Sequence, residues 1–198
     1  ACSNGETINN ICNLPAGLYT VTVTDSLGCI TTEDTTITEP SAITLTSDST
    51  AVSCNGGNDG TATVAASGGT ITTDYTYLWD ASANGQTTAT ATGLAAGNYC
   101  VTVSDDNGCS EVICQVVTEP ATAVSANIAL DNNASCNGVC DGQATATGSG
   151  GTAAGAYSFA WDDPSAQTTA VATGLCAGTF NVTITDDKGC TATSSVTI

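Results

Sequence analysis

The chain has 198 residues, of which nineteen are Asp or Glu, one is a lysine (Lys188) and none is histidine or arginine. The formal net charge of −18 repels phosphate backbones and anionic lipid headgroups, so nucleic acid and membranes are poor partners. Without histidine or arginine the usual general bases and phosphate clamps are missing. No apolar run approaches the ~20 residues of a transmembrane helix. We interpret the charge first as a means of solubility, with cation binding as the alternative.

Two sequence frames recur along the chain. The first reads Leu-x-x-Gly-x-aromatic, then alternating apolar and Thr residues, then Asp-x-x-Gly-Cys, and it occurs three times: in Leu14–Pro40, Gly93–Pro120 and Gly174–Ile198. The second opens with Cys-Asn-Gly and ends at a tryptophan, and it occurs twice with an offset of 82 residues: Cys54 to Trp79 and Cys136 to Trp161. This repetition predicts a partial repeat at 1–40 and complete repeats at 41–120 and 121–198.

Period-two alternation, short apolar segments and frequent turn residues predict an all-β chain of tandem Ig-like β-sandwiches. Residues that share one face of a strand point to the same side of the sheet. The predicted inward faces are Tyr19, Val21 and Val23; Tyr99, Val101 and Val103; and Phe180, Val182 and Ile184. Trp79 and Trp161 are the predicted core residues between the sheets. Half a sandwich at 1–40 leaves strand edges open, which favours completion by another chain or by a longer array.

Eleven cysteines without a histidine or a Cys-x-x-Cys pair indicate disulfides in an oxidising compartment rather than a zinc site. Small domains also need such cross-links because their cores are small. Two cysteine positions recur in both complete repeats, one opening the repeat and one closing it. We therefore predict Cys54–Cys109 and Cys136–Cys190, each within one repeat.

The other cysteines are specific to one repeat. A tight turn at Asp106-Asn107 would place Cys100 opposite Cys114. Cys140 and Cys176 replace Asn58 and Ala95 of the preceding repeat together, so we pair them. Cys2, Cys12 and Cys29 remain, and since three cysteines cannot all pair among themselves, one thiol is left unpaired or forms an intermolecular bond.

Carboxylates offer two further hypotheses. Asp59, Asp141, Asp105 and Asp186 lie in Gly-rich loops and turns and could supply oxygen ligands to Ca²⁺. The doublets Asp105-Asp106, Asp162-Asp163 and Asp186-Asp187 formally offer the carboxylate pair of a glycosidase. Aspartate is also favoured in turns for its local backbone hydrogen bonds, and this interpretation fits both sets better. We therefore predict no enzyme activity and no cofactor, with Ca²⁺ as the alternative.

The combined frame reads Cys-Asn-Gly-x-x-Asp-Gly, Gly-Gly-Thr, Tyr-x-Tyr/Phe-x-Trp, Gly-Leu-x-Ala-Gly-x-Tyr/Phe and Asp-x-x-Gly-Cys. It resembles the SprB-type repeat of large Bacteroidetes surface adhesins, including those of gliding motility, over 41–120 and 121–198 and in part over 14–40. The resemblance implies extracellular display at the cell surface, a role as stalk, filament or adhesive surface, and no catalytic residues.

The sequence thus predicts a non-catalytic structural protein whose partners are copies of itself, head to tail, or neighbouring repeats of a longer chain. The alternative is a Ca²⁺-dependent or carbohydrate-binding module. Its surface glycan would bind near Asn58-Asp59 or around Tyr75–Trp79.

Overall fold

The computed structural model describes residues 14–152 and 155–198. Within those ranges the chain forms fourteen β-strands and one three-residue 3₁₀ turn, Ala81–Ala83. A two-stranded hairpin comes first and is followed by two sandwiches, each built from two three-stranded antiparallel sheets. The predicted all-β, Ig-like sandwich class is confirmed.

The strands of the hairpin are β1 (Gly17–Thr24) and β2 (Ile30–Ile37). Those of the first sandwich are β3 (Thr44–Thr50), β4 (Gly60–Ser67), β5 (Thr76–Trp79), β6 (Thr90–Leu94), β7 (Gly97–Ser104) and β8 (Ser110–Val117). Those of the second are β9 (Ser125–Asn132), β10 (Gly142–Ser149), β11 (Ser158–Trp161), β12 (Val171–Leu175), β13 (Thr179–Thr185) and β14 (Thr191–Thr197). The sheet orders are β3-β4-β6 and β5-β7-β8, then β9-β10-β12 and β11-β13-β14.

The two cores lie between the paired sheets. Tyr99, Val101 and Val103 of β7 face the first core and are at most 5% exposed. Trp79 and Trp161 are 2% and 4% exposed. Each indole N–H donates to a backbone carbonyl, Thr88 O at 2.9 Å and Thr169 O at 3.0 Å respectively. A buried indole therefore fills each core without leaving its donor unpaired.

Strand β8 alternates in the structure although its sequence hides the pattern. Ile113 and Gln115 are half-buried and Val117 is buried, while Val112 and Val116 are exposed. Gln115 takes an inward position because its amide bonds two hydroxyl groups of β3: Ser47 Oγ donates to its Oε1 at 2.8 Å, and its Nε2 donates to Ser49 Oγ at 2.9 Å. Hydrogen bonds thus replace apolar contact where β8 meets β3.

The first hairpin differs from its two counterparts. Val21 and Val23, predicted to face a core, are 49% and 57% exposed, and Tyr19 is only half-buried. No opposing sheet among the described residues packs on this face. The Tyr19 hydroxyl nevertheless donates to Pro15 O at 2.8 Å, just as the Tyr99 hydroxyl donates to Ala95 O at 3.0 Å. The hairpin therefore forms its local bonds without the packing that buries Val101 and Val103. In the second sandwich Phe180 is half-buried and packs against the core.

Candidate functional site

Each Asp-x-x-Gly-Cys segment forms the same turn. In the first sandwich Asp105 Oδ1 accepts from Asn107 N at 3.0 Å and from Cys109 N at 2.9 Å. Gly108 closes the turn at a φ of 81°. The turns at Asp25 and Asp186 have equivalent bonds to Cys29 N at 2.8 Å and to Cys190 N at 2.9 Å. The aspartate thus holds the closing cysteine in one conformation in all three copies.

The Gly-Gly-Thr motif packs against this turn. Asp105 Oδ2 accepts from Thr70 N at 2.9 Å, and Asp186 Oδ2 accepts from Thr152 N at 2.8 Å. Gly69 has a φ of 70°, and a Cβ there would lie 2.8 Å from Asp105 Oδ2, so the motif requires glycine. The bond from Thr70 N lowers the pKa of Asp105, and the bond from Thr152 N lowers that of Asp186. These motifs together form one end of each sandwich, which we call the turn end.

The Cys-Asn-Gly loops lie at the opposite end, which we call the exit end. Asp59 Oδ1 accepts from Ser53 N at 2.9 Å, and Asp141 Oδ1 accepts from Ser135 N at 2.8 Å. Hydrogen bonds from the side chain and then from the backbone N–H of Ser53 and Ser135 lower the pKa of Asp59 and Asp141 respectively. Each loop thus presents its opening cysteine in the same way.

The linker between the sandwiches is bound to the first exit end. Asn55 Nδ2 donates to Pro120 O at 2.8 Å, and Gly56 N donates to Glu119 Oε2 at 2.5 Å. Val52 N also donates to Thr118 O at 2.8 Å. The chain therefore leaves the first sandwich alongside Cys54.

The exit end of the first sandwich contacts the turn end of the second. A disulfide joins Cys54 to Cys190, with a Cα–Cα distance of 5.6 Å. Beside it, Thr152 Oγ1 donates to Ser53 O at 3.4 Å. A cleft of about 530 Å³ lies at this junction, and both Glu119 and Lys188, the single basic residue of the chain, line it.

This disulfide corrects two of our predicted pairings, Cys54–Cys109 and Cys136–Cys190. Opening and closing cysteines lie at opposite ends of a sandwich, separated by the eight residues of β7 or β8 in the first sandwich and by the seven of β13 or β14 in the second. Seven to eight extended residues span ~23–26 Å, whereas the Cα atoms of a disulfide lie within about 7 Å. A cysteine at the exit end can therefore reach a closing cysteine only on the adjacent repeat.

The repeat-specific cysteines are bonded within their own sandwiches, Cys100 to Cys114 and Cys140 to Cys176. In the β7–β8 register Cys100 lies directly opposite Cys114. Three cysteines of the described residues are exposed free thiols: Cys29, Cys109 and Cys136. Cys2 and Cys12 lie outside the described residues.

The carboxylates considered for Ca²⁺ lie at the two ends of the sandwiches. Asp59 and Asp141 are at exit ends and Asp105 and Asp186 at turn ends, and each accepts at least one backbone N–H. Among the described residues no group of three or more acidic, Cys or His side chains is close enough to hold a metal ion. Their common role in the structure is to fix loops.

The other candidate sites have a similar explanation. Asp106 accepts from the hydroxyl and backbone N–H groups of Thr72 and Thr73, which lowers its pKa to about 2. Asp162 accepts from the backbone and side chain of Asn181 at 2.7 Å each. In the Tyr75–Trp79 segment the Tyr75 hydroxyl donates to Gly68 O at 2.7 Å and Trp79 is buried, so this indole offers no exposed face to a sugar.

Sequence reasoning missed the junction residues Ser53, Glu119 and Thr152. The available signal was the Thr-Glu-Pro tripeptide, which recurs at Thr38–Pro40 and Thr118–Pro120. In the structure the second copy is part of the linker between the sandwiches, and its Glu119 binds the Cys-Asn-Gly loop of the first sandwich. The described residues include no helix of membrane-spanning length.

Fold and junction together define a class: a tandem array of β-sandwiches with a disulfide between adjacent repeats. The family model of the SprB repeat matches residues 46–84 and 132–166, the part of each complete repeat that carries the opening cysteine and the tryptophan. The chain is therefore similar to the SprB repeat over these two segments, one in each complete repeat. The match is narrower than the resemblance predicted, because it includes none of the three Asp-x-x-Gly-Cys turns.

Solved structures match the chain at low identity. Three N-terminal domains of the Hoc outer capsid protein of bacteriophage RB49 are 19% identical over 80% of this chain and 58% of that chain, with a TM-score of 0.46. A C-terminal fragment of intimin, in complex with the intimin-binding domain of the translocated intimin receptor, is 18% identical over 79% of this chain and 64% of that one, with a TM-score of 0.39. The amphioxus IgVJ-C2 molecule is 16% identical over 77% and 95%, with a TM-score of 0.29. No curated protein sequence matches the chain significantly.

Proposed function

We propose that the chain is a non-catalytic, extracellular structural segment of a cell-surface filament or adhesin stalk, and that its neighbours are further repeats of a longer chain or copies of itself. The observation that carries this proposal is the Cys54–Cys190 bond between sandwiches. Disulfides persist in oxidising compartments, which supports an extracellular location. The carboxylates of both sandwiches are bonded to loops, and the tryptophans are buried, which favours a structural role over glycan binding or hydrolysis.

The position of the disulfide gives the segment a mechanical property. A force applied between Thr44 and Ile198 passes along the backbone to Cys54, across the sulfur bridge to Cys190 and on to Ile198. Residues 55–189 lie outside this covalent path, so they bear no tension even when their strands separate. Only the two backbone segments of this path, Thr44 to Cys54 and Cys190 to Ile198, can be extended, and together they span eighteen Cα-to-Cα steps.

The fully extended length follows from the backbone dimensions. Eighteen steps give about 60 Å between the two attachment points, at about 3.5 Å per residue. Without the Cys54–Cys190 bond, and with the two bonds inside the sandwiches intact, the same points can separate to about 360 Å. A stalk with this bond keeps its reach when a sandwich unfolds under load.

Single-molecule force spectroscopy tests the proposal, with handles attached at Thr44 and Ile198 by chemistry that does not use thiols. We expect a maximum extension of about 60 Å for the native chain and about 360 Å for the C54S/C190S variant. The matched control is C100S/C114S, whose bond lies within the bypassed residues, so its extension should stay at about 60 Å. A native chain that extends as far as C54S/C190S would refute the mechanical role.

A further inference from the structure

We propose that the exit end of the second sandwich is a docking surface for a second copy of this chain, which binds through its Cys29 turn and forms an intermolecular Cys29–Cys136 disulfide. This inference rests on the proposed function and names the partner of the exit end of the second sandwich. It follows from the junction within the chain, where the same two structural motifs are already bonded to each other.

The Cys136 loop has the conformation of the bonded Cys54 loop. Val139 N donates to Cys136 O at 3.1 Å, and Gly57 N donates to Cys54 O at 2.9 Å. The glycines in the two loops, Gly138 and Gly56, have φ angles of 86° and 77°. The loop that receives Cys190 in the first sandwich is thus present in the second with an exposed, free thiol.

The Cys29 turn has the conformation of the bonded Cys190 turn. Asp25 N donates to Cys29 O at 2.9 Å, and Asp186 N donates to Cys190 O at 3.0 Å. Gly28 and Gly189 have φ angles of 85° and 84°. Both halves of the intermolecular bond therefore exist in the conformation that the intrachain bond uses.

An apolar side chain beside Cys29 favours this cysteine over Cys109 as the partner of Cys136. Leu27 occupies the position of Lys188 and is 88% exposed, and Val139 occupies the position of Gly57 and is 42% exposed. If the copies meet as the two sandwiches do, Leu27 takes the place of Lys188, which lines the cleft of the intrachain junction. Burying this exposed apolar side chain stabilises the contact between the copies, whereas the intrachain junction has a charged lysine at that position.

The third free thiol, Cys109, is a poorer partner than Cys29 for the exit end of the second sandwich. Its turn carries Asn107 where the first hairpin carries Leu27, so the apolar contact is missing. The linker that leads into the first sandwich also lies at the same turn end as Cys109, since Gly69 N donates to Ser41 O at 2.8 Å. The equivalent linker at Cys190 leads from the sandwich that supplies the partner cysteine. By analogy, the surface around Cys109 faces the segment that precedes the first sandwich in the same chain. A second copy would have to displace that segment in order to bind there.

Formation of the bond needs an oxidant, and a low-molecular-weight disulfide such as oxidised glutathione suffices. The thiolate of one cysteine attacks this disulfide, forms a mixed disulfide and releases one glutathione thiol. The thiolate of the second cysteine then attacks the mixed disulfide and releases the other. Two protein thiols are oxidised to one disulfide, and one glutathione disulfide is reduced to two thiols.

The test uses the purified full chain, incubated with a mixture of oxidised and reduced glutathione and separated by non-reducing electrophoresis. We expect a ladder of covalent multimers, and mass spectrometry after digestion at acidic residues should find Cys29 linked to Cys136. The C29S and C136S variants should each remain monomeric. An equimolar mixture of those two variants should stop at dimers, because each dimer has used its one complementary pair.

Two further variants separate this pair from its competitors. C109S should give an unchanged ladder. Leu27→Asn, which copies the Cys109 turn, should slow the ladder several-fold without changing the final linkage. A Cys109–Cys136 linkage, a ladder from C29S, or only glutathione-capped monomers would overturn the inference. None of these results changes the extension expected of a single chain, so the proposed stalk function fails or stands separately.

Discussion

The Cys140–Cys176 bond should stabilise the second sandwich alone. It closes a loop with a sequence separation of 36 residues, and in the chain-entropy model such a loop contributes about 4 kcal/mol. A domain of roughly 75 residues has a total stability of about 4–11 kcal/mol at 0.05–0.15 kcal/mol per residue. Loss of this bond would therefore remove a large part of the stability of the second sandwich. The first sandwich carries Asn58 and Ala95 at the same positions and does not depend on it.

Hydrogen exchange measured by mass spectrometry can resolve the two sandwiches. In the C140S/C176S variant, the slowest amides of β10 and β13 should exchange about a thousandfold faster, since 1.4 kcal/mol corresponds to a factor of ten. The amides of β4 and β7 should be unchanged. The C100S/C114S variant is the matched control, because its 14-residue separation predicts a loss of about 3 kcal/mol in the first sandwich instead. Exchange of β10 and β13 within threefold of the native rate would refute the reasoning.

Three further predictions concern the core, the turns and acid stability. Leu94→Ala, at a side chain 2% exposed, should lower the free energy of unfolding by about 2–5 kcal/mol in urea titrations, whereas Leu78→Ala, at 58% exposed, should change it by less than about 0.5 kcal/mol. Gly69→Ala should lower the melting temperature more than Gly85→Ala, because both glycines have positive φ but only the Cβ at 69 would meet neighbouring atoms. The pKa of Asp106 is about 2 in the folded chain and about 3.9 in an unfolded one, so its contribution is complete above about pH 4 and is lost as the pH falls through 2. Thermal melts from pH 6 to pH 2 should therefore show a smaller acid loss in Asp106→Asn than in the native chain.

A specific experimental result would contradict each of these three predictions. Equal losses for the two leucine variants would place Leu94 outside the core. Equal melting temperatures for the two glycine variants would mean that the Gly-Gly-Thr turn yields without contacting Asp105. Parallel acid curves for the native chain and Asp106→Asn would show that the bonds from Thr72 and Thr73 do not favour the ionised carboxylate.

Local interactions made much of the fold predictable from the sequence. The alternation of Tyr99, Val101 and Val103 predicts a strand with one buried face because side chains alternate across a sheet. The tight turn at Asp106-Asn107 predicts that Cys100 faces Cys114, and the β7–β8 register places them opposite each other. Sequence spacing is sufficient in these cases because the partners lie on adjacent strands of one hairpin.

Other features depend on residues far away in the sequence. Val21 and Val23 have the same pattern as Val101 and Val103 and yet are exposed, because burial requires a second sheet and not only a strand. Gln115 lies on an inward face, and only the hydroxyl groups of β3 explain how it is tolerated there. The alternation of residues within one strand contains no information about which other element packs against that strand.

The sequence by itself determined the strands, the turns and the cysteines shared by both repeats, because periodicity and turn chemistry act over a few residues. Only the tertiary structure decided that Cys54 bonds Cys190 rather than Cys109. The physical reason is direction: an antiparallel sandwich places the Cys-Asn-Gly loop and the Asp-x-x-Gly-Cys turn at opposite ends, one strand length apart. Cysteines that bracket one repeat in the sequence therefore join neighbouring repeats in space.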